Sequence, residues 1–265
     1  MSFLHLISLA ALQGLTEFLP VSSSGHLILF SKLLNFKDEG LLVDVALHIG
    51  SLFAVLIYFK TEVLQMLQAV FKSRFKPDFK FVYNKLAFLI LIASVPALVV
   101  GFYLRNTGVD FLRNPKIIGF NILFYGILLY VADKYFKSRR SVQNMHIKDA
   151  LFIGLAQCLA LIPGTSRSGI TITMARTLNI TRVDAAKFSM LLSLPVIAAA
   201  GFLEGYRLWV SGSSADMLTA FYGIVLSFIA SYTVICLMMK WLQHYSFTPF
   251  VIYRVFLGLY LLLWF

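Results

Sequence analysis

The chain has 265 residues, of which 59% are hydrophobic and only 13% charged, with a net charge of +11. Soluble domains carry about 25% charged residues, so this balance, with a mean hydropathy of +0.82, speaks against a soluble enzyme and for an integral membrane protein. The basic excess sits in short stretches between apolar runs, as in the cytoplasmic loops of membrane proteins, so no nucleic-acid partner is expected.

A spanning helix needs about 20 mostly apolar residues. The first apolar region, residues 3–35, is interrupted by Pro20 within LQGLTEFLPVSSSGH. Each half is too short to cross. The region therefore predicts a helix, a polar turn and a second helix, the proline ending one and a serine capping the next. Its first twenty residues lack a basic start and a small-residue cleavage site, so they read as folded protein rather than a signal peptide. Spans are predicted at 41–60, 84–104 and 115–133. A second interrupted region, 148–179, breaks at Pro163-Gly164 within PGTSRSGIT. Further spans are predicted at 182–207, 217–240 and 248–265. The predicted fold is an all-α integral membrane protein, with six transmembrane helices and two re-entrant helical hairpins. Cys158 and Cys236 both lie in apolar runs and imply no disulfide framework.

The two interrupted regions resemble each other. A shift of 144 positions places Gln13 on Gln157, Ser22 on Ser166, Ser24 on Ser168, Gly25 on Gly169, Leu34 on Leu178 and Asn35 on Asn179. This predicts a single membrane domain, 1–265, built from two repeats at about 1–133 and 146–265. The segments 60–85 and 134–148 are rich in lysine and arginine, which assigns both to the cytoplasm. The first hairpin then enters from outside and the second from the cytoplasm. Two similar hairpins inserted from opposite faces make an inverted repeat whose polar tips can meet near the midplane.

Polar groups at membrane depth are costly, at least about 2.5–3.5 kcal/mol for Arg or Asp at a helix centre, so these tips should face a cavity and each other. The first tip offers Gln13 and Glu17, four apart on one helix face, then Ser22, Ser23, Ser24 and His26. The second offers Thr165, Ser166, Arg167, Ser168 and Thr171. Helix starts, hydroxyls and a guanidinium suit a phosphate. Glu17 suits a metal ligand or an acid–base group, His26 can move protons near neutral pH, and a serine beside a base can act as nucleophile. Together they point to phosphoryl chemistry on a substrate with a lipid tail. Ser24 and Ser168 are equally explained by bonds to backbone or neighbouring helices. Asp44 and His48, four apart on the first span, read as packing or support. His5, His146 and His244 read as loop or interface residues, and Glu204 and Arg176 as pairing or snorkelling.

LQGLTEFLPVSSSGH and PGTSRSGIT resemble the two signature motifs of the undecaprenyl-diphosphate phosphatases, also called bacitracin-resistance proteins, and the resemblance covers the whole chain. It implies a multi-pass enzyme of the bacterial inner membrane, in a fold of interlocked inverted repeats, with its active site open toward the periplasm. It implies hydrolysis of undecaprenyl diphosphate to undecaprenyl phosphate and inorganic phosphate. That reaction recycles the lipid carrier for peptidoglycan synthesis and confers resistance to bacitracin. It also implies stimulation by a divalent cation, Mg2+ or Ca2+, held partly by Glu17. Carried over by position, Glu17, Ser23 and His26 are the catalytic residues and Ser166, Arg167 and Thr171 bind phosphate; Ser22, from its place at the first tip, is read as a further phosphate ligand. Gln13, Ser24, Thr165 and Ser168 support them. Gln13 stands where the family has either Gln or Glu, leaving Glu17 the one strong carboxylate. The nucleophile is left open among Ser23, His26 and water, and a homodimer is allowed for beside the membrane lipids. The alternative is a lipid-phosphate flippase, alone or in addition to hydrolysis. Acid-phosphatase-like lipid phosphatases fit less well, because no basic residue precedes the Ser-Gly-His at 24–26.

Overall fold

The computed structural model describes residues 3–33, 41–104, 112, 114–211 and 214–265. The described residues form α-helices joined by turns and two short 3-10 segments: α1 (Phe3–Thr16), α2 (Ser23–Leu33), α3 (Leu41–Tyr58), α4 (Lys60–Lys72), α5 (Val82–Leu104), α6 (Pro115–Tyr135), α7 (Ile147–Cys158), α8 (Arg167–Thr177), α9 (Arg182–Ser211), α10 (Ser214–Leu242) and α11 (Thr248–Trp264). Each segment predicted to span coincides with a helix. Among the described residues, three helices are long and apolar enough to cross a membrane: Val82–Leu104, Pro115–Tyr135 and Asp216–Leu242. A fourth is reached only by joining Val43–Tyr58 to Lys60–Lys72, which bends away by 82°. The basic stretch 60–85, read from sequence only as a connection, thus begins with a helix of its own.

Local chemistry sets the helix starts. Asn114 caps α6, its side chain accepting from Lys116 N at 2.9 Å, with Pro115 pre-set for the first turn. Thr181 and Asp184 bond reciprocally at the start of α9. Both predicted breaks are present, between α1 and α2 and between α7 and α8, and each first helix packs on its second.

The two breaks end alike. Ser22 has φ 77° and Ser166 φ 73°, both left-handed, a costly state for a residue with a Cβ. Each then caps the helix it begins, Ser22 Oγ accepting from Gly25 N at 3.4 Å and Ser166 Oγ from Gly169 N at 3.1 Å. The pairs Ser22/Ser166 and Gly25/Gly169 are the ones that coincide at a shift of 144.

Packing crosses between the halves. α1 lies on α10, and α7 lies on α5. Small residues allow this: Gly14 abuts Ala230 and Ser231, and Gly154 abuts Ala93. α3 and α10 are joined by a hydroxyl cluster in which Ser51 Oγ sits 2.9 Å from Ser231 Oγ and 3.2 Å from Ser227 Oγ. The largest apolar cluster spans α3, α5, α6, α8, α9, α10 and α11 and includes Ala54, Leu89, Leu129, Ile172, Phe188 and Ile235. Smaller clusters hold the first hairpin, with Leu9, Leu27 and Leu47 on one side and Leu29, Ile122 and Leu261 on the other.

α6 and α11 approach closely at Gly119 and Gly258. A Cβ on Gly258 would stand 2.8 Å from both Gly119 O and Leu123 Cβ. Gly258→Ala is therefore expected to lower stability by about 1–3 kcal/mol, read as a lower thermal midpoint in detergent, and an unchanged midpoint would show that the two helices can part at no cost.

Candidate active site

The two breaks meet through three sets of bonds. Glu17, just past α1, pairs with Arg167 at the start of α8, Nη2 to Oε1 at 2.9 Å. Ser168 Oγ donates to Leu19 O at 2.9 Å, carrying the second break onto the backbone of the first. The third set is centred on Arg254 of α11, which is fully buried. Its Nη1 donates to Pro20 O at 3.1 Å, and its Nη2 to Gly164 O at 3.2 Å and Thr165 O at 3.1 Å. Its Nε donates to Ile122 O at 2.8 Å, and Nη2 also reaches Asn121 O at 3.3 Å. One side chain thus gathers both breaks and α6. Asn121 adds a bond to Pro163 O at 2.9 Å. Gly164, at φ 91°, lies so close to α6 that a Cβ there would sit 2.6 Å from Ile118 O, so only glycine fits this turn.

Glu17 is the hub of the polar groups and is buried. Beyond Arg167 on Oε1, its Oε2 accepts from Ser23 Oγ at 2.8 Å and from Gln13 Nε2 at 3.0 Å. His48 of α3 approaches the same oxygen, Nε2 at 3.5 Å. His48 Nδ1 donates to Asp44 O at 2.7 Å. Its Nε2 is then an acceptor on the neutral ring and a donor once protonated. Arg167 is steadied by Nη1 donating to Ser189 O at 2.9 Å. These groups line a cavity of about 360 Å³, bounded by Glu17, Ser23, Asp44, His48, Ser166 and Arg167 with apolar walls from α3 and α9.

Other residues singled out from sequence lie around this cavity rather than on it. His26 is buried; its Nδ1 donates to Ser22 O at 2.7 Å, so its Nε2 accepts from Tyr253 OH at 2.5 Å, with the two rings stacked. Ser22 is buried in its capping bond. Thr171 Oγ1 bonds Arg167 O at 2.8 Å and lies 2.7 Å from Ser189 Oγ. Gln13 Oε1 and Thr165 Oγ1 are buried with no hydrogen-bond partner. The side chains of Ser24 and Glu204 lie outside the described residues. Arg176, read as pairing or snorkelling, is buried and paired with Asp133, Nε to Oδ1 at 3.1 Å, and also bonds Ile180 O, because a guanidinium this deep needs an interior partner.

Sequence reasoning missed Arg254, Tyr253, Ser189 and Asn121, and it gave His48 only a supporting part. A lone arginine in VIYRVFLG and the Asp44–His48 spacing were the available signals. Among the described residues no group of three His, Cys, Asp or Glu comes together to hold a metal. The oxygens nearest to such a role are those of Glu17, of Asp44 in the same cavity, and the unpartnered Gln13 Oε1.

Comparison with known proteins agrees in scope with this architecture. The family model described as bacitracin resistance protein BacA matches residues 6–260. A protein of Chromohalobacter salexigens named undecaprenyl-diphosphatase is 46% identical over 265 residues, covering 100% of this chain and 99% of that one. Proteins of the same name from Alteromonas mediterranea and Dinoroseobacter shibae are 42% and 47% identical, covering 100% and 99% of this chain and 99% and 98% of their own.

Arg254 generates the prediction for this site. Each buried carbonyl left without its donor costs about 1–3 kcal/mol. Arg254→Met should therefore lower the thermal midpoint strongly. Arg254→Lys, which keeps the charge but not the planar fork, should fall between Arg254→Met and wild type. Equal midpoints for all three would show that the guanidinium holds nothing together.

Proposed function

The chain belongs to the bacitracin resistance protein BacA family, and on that premise we propose that it hydrolyses undecaprenyl diphosphate to undecaprenyl phosphate and inorganic phosphate. The product is the lipid carrier for peptidoglycan synthesis, and removal of the diphosphate form confers resistance to bacitracin. The observation that carries the chemistry is the hydrogen bond from Ser23 Oγ to Glu17 Oε2, 2.8 Å, with Arg167 on the other carboxylate oxygen.

In this reading the diphosphate enters the cavity beside Arg167, whose fork suits phosphate oxygens. The arriving anion competes with Glu17 for the guanidinium and frees the carboxylate to act as a base. Glu17 takes the proton of Ser23. Ser23 Oγ forms a bond to the terminal phosphorus, and the bridging P–O bond breaks with its electron pair leaving on undecaprenyl phosphate. Water then attacks the phosphoserine phosphorus and gives its proton to His48, while the Ser23 Oγ–P bond breaks and Glu17 returns its proton to Ser23 Oγ, releasing inorganic phosphate; His48 then passes its proton to solvent. Ser166 and Thr171 hold the backbone and Arg167 in place around this centre, and Gln13 holds Glu17. His26, bonded to Ser22 and Tyr253, keeps the start of α2 in register beneath Ser23.

The donor set fits a divalent ion that arrives with substrate. Mg2+ and Ca2+ take oxygen ligands, and Mg2+ is often held by one or two carboxylates plus substrate phosphates. Glu17 would hold it, with Asp44 as the further carboxylate lining the cavity. Such an ion would offset the diphosphate charge.

We further propose six spans with two re-entrant hairpins in an inverted repeat, in the bacterial inner membrane, with the site open to the periplasm. The paired left-handed serines at 22 and 166 and the crossed packing of α1 on α10 and α7 on α5 support the repeat. The charge-derived topology puts the start of α3 and the end of α9 outside. The cavity wall comes from the first half of α3, through Asp44, Val45 and His48, and from the middle of α9, through Val196, Ile197 and Gly201. The flippase alternative draws no support from the relatives' names.

Purified protein in detergent should release phosphate from undecaprenyl or farnesyl diphosphate with Mg2+ or Ca2+. Glu17→Gln should nearly abolish release. Arg167→Ala should reduce it by the loss of charge-assisted bonds, about 1.5–3 kcal/mol each. Acid quenching should trap labelled phosphate on Ser23. No release by wild type would overturn the enzyme reading, and label on no side chain would exclude the serine route.

A further inference from the structure

Helix α4 and the turn after it have a chemistry that the proposed site does not use. α4 leaves α3 at 82°, so if α3 spans the membrane, α4 lies close to the membrane plane. Its surface divides into three faces at helical spacing. Val63, Met66 and Val70 turn inward, with Met66 buried. Thr61, Gln65, Gln68 and Lys72 form a polar face. Between them, Leu64, Leu67 and Phe71 point outward, and the stripe continues past the helix through Phe75 and Phe81. All five are half or more exposed.

This edge is held in shape rather than loose. Asn84 at the start of α5 donates to Ala69 O at 3.2 Å and Ser73 Oγ at 2.8 Å, and accepts from Asp78 N at 2.6 Å. Phe71 and Phe75 meet edge to face at 5.3 Å. Glu62 anchors α4 to α9 through Lys187 at 2.7 Å. The acids of the segment are thereby engaged, Glu62 with Lys187 and Asp78 with the backbone N of Lys80. Lys60, Lys72, Arg74, Lys76 and Lys80 are exposed, and among the described residues no carboxylate pairs with them.

An apolar stripe flanked by unpaired cations, on a helix set across the spans, matches the interfacial amphipathic helix. We propose that α4 and the following turn form a binding edge for anionic phospholipid headgroups of the cytoplasmic leaflet. The apolar stripe enters the acyl boundary and the five cations collect phosphate-bearing headgroups, each cation near an anionic surface adding attraction. The inference rests on the assignment of residues 60–85 to the cytoplasmic side, not on the hydrolytic mechanism.

The test uses the whole protein reconstituted in vesicles carrying equal mole fractions of brominated phosphatidylglycerol or brominated phosphatidylcholine. Phe71→Trp places a fluorophore on the stripe, read as the difference from wild type. The native Trp209, Trp241 and Trp264 report insertion, and phosphate release from the same vesicles reports separately on the enzyme reading. The brominated anionic lipid is expected to quench the introduced indole about twofold or more above the zwitterionic one. The Lys72→Gln, Arg74→Gln, Lys76→Gln, Lys80→Gln combination should erase that preference while leaving phosphate release in neutral detergent unchanged. Equal quenching by the two lipids would overturn the headgroup preference, and no quenching by either would remove α4 from the bilayer.

Discussion

A buried guanidinium has five N–H groups to satisfy and no water to satisfy them. Arg254 meets most of this demand with backbone carbonyls from Pro20, Asn121, Ile122, Gly164 and Thr165, three of them sharing the two Nη2 hydrogens. These belong to three separate stretches of chain, two of which are the interruptions of apolar helices. A broken helix in an apolar surrounding leaves carbonyls without partners, each a liability of its own. The two kinds of deficit cancel: the arginine needs acceptors and the breaks need donors. The position of each polar tip follows from that exchange, and with it the distance between Glu17 and Arg167.

The charged pair at the tips is of a different kind. Glu17 and Arg167 are joined directly at 2.9 Å, and both lie against a cavity rather than within packed apolar side chains. Burying such a pair returns little net stability. Its value is that each partner is held ready, the carboxylate by Ser23 and Gln13 and the guanidinium by Ser189. In the proposed mechanism the diphosphate replaces the carboxylate on this arginine. Arg254 and Arg167 thus divide the work, one holding the two hairpins together and the other facing what enters between them.

Much of this was legible in the sequence because it is local. Proline and serine mark a helix end and a helix start, so both breaks, the capping serines and the polar tips could be placed. The spacing Gln13–Glu17 put both side chains on one face, and their hydrogen bond follows. The left-handed φ of Ser22 and Ser166 was not legible, since serine carries no preference for it. Arg254 was missed although a lone arginine at depth in an apolar run poses the same question as the polar tips. Its partners are up to 234 positions away in the chain, and no periodicity reports on them. The carriage of His48 to Glu17 depends likewise on how α3 packs, and its spacing from Asp44 fits helix support equally well. His26, expected among the reacting groups, is bonded to Tyr253, a partner 227 positions away that no sequence spacing could show.

In the proposed mechanism Glu17 from one hairpin and Arg167 from the other act as one unit on the substrate. Phosphate release by Glu17→Gln, Arg167→Ala and the double variant tests it most directly, because residues that act together are far from additive. The double variant is expected to be no slower than the slower single one. Two independent losses that multiply would contradict it.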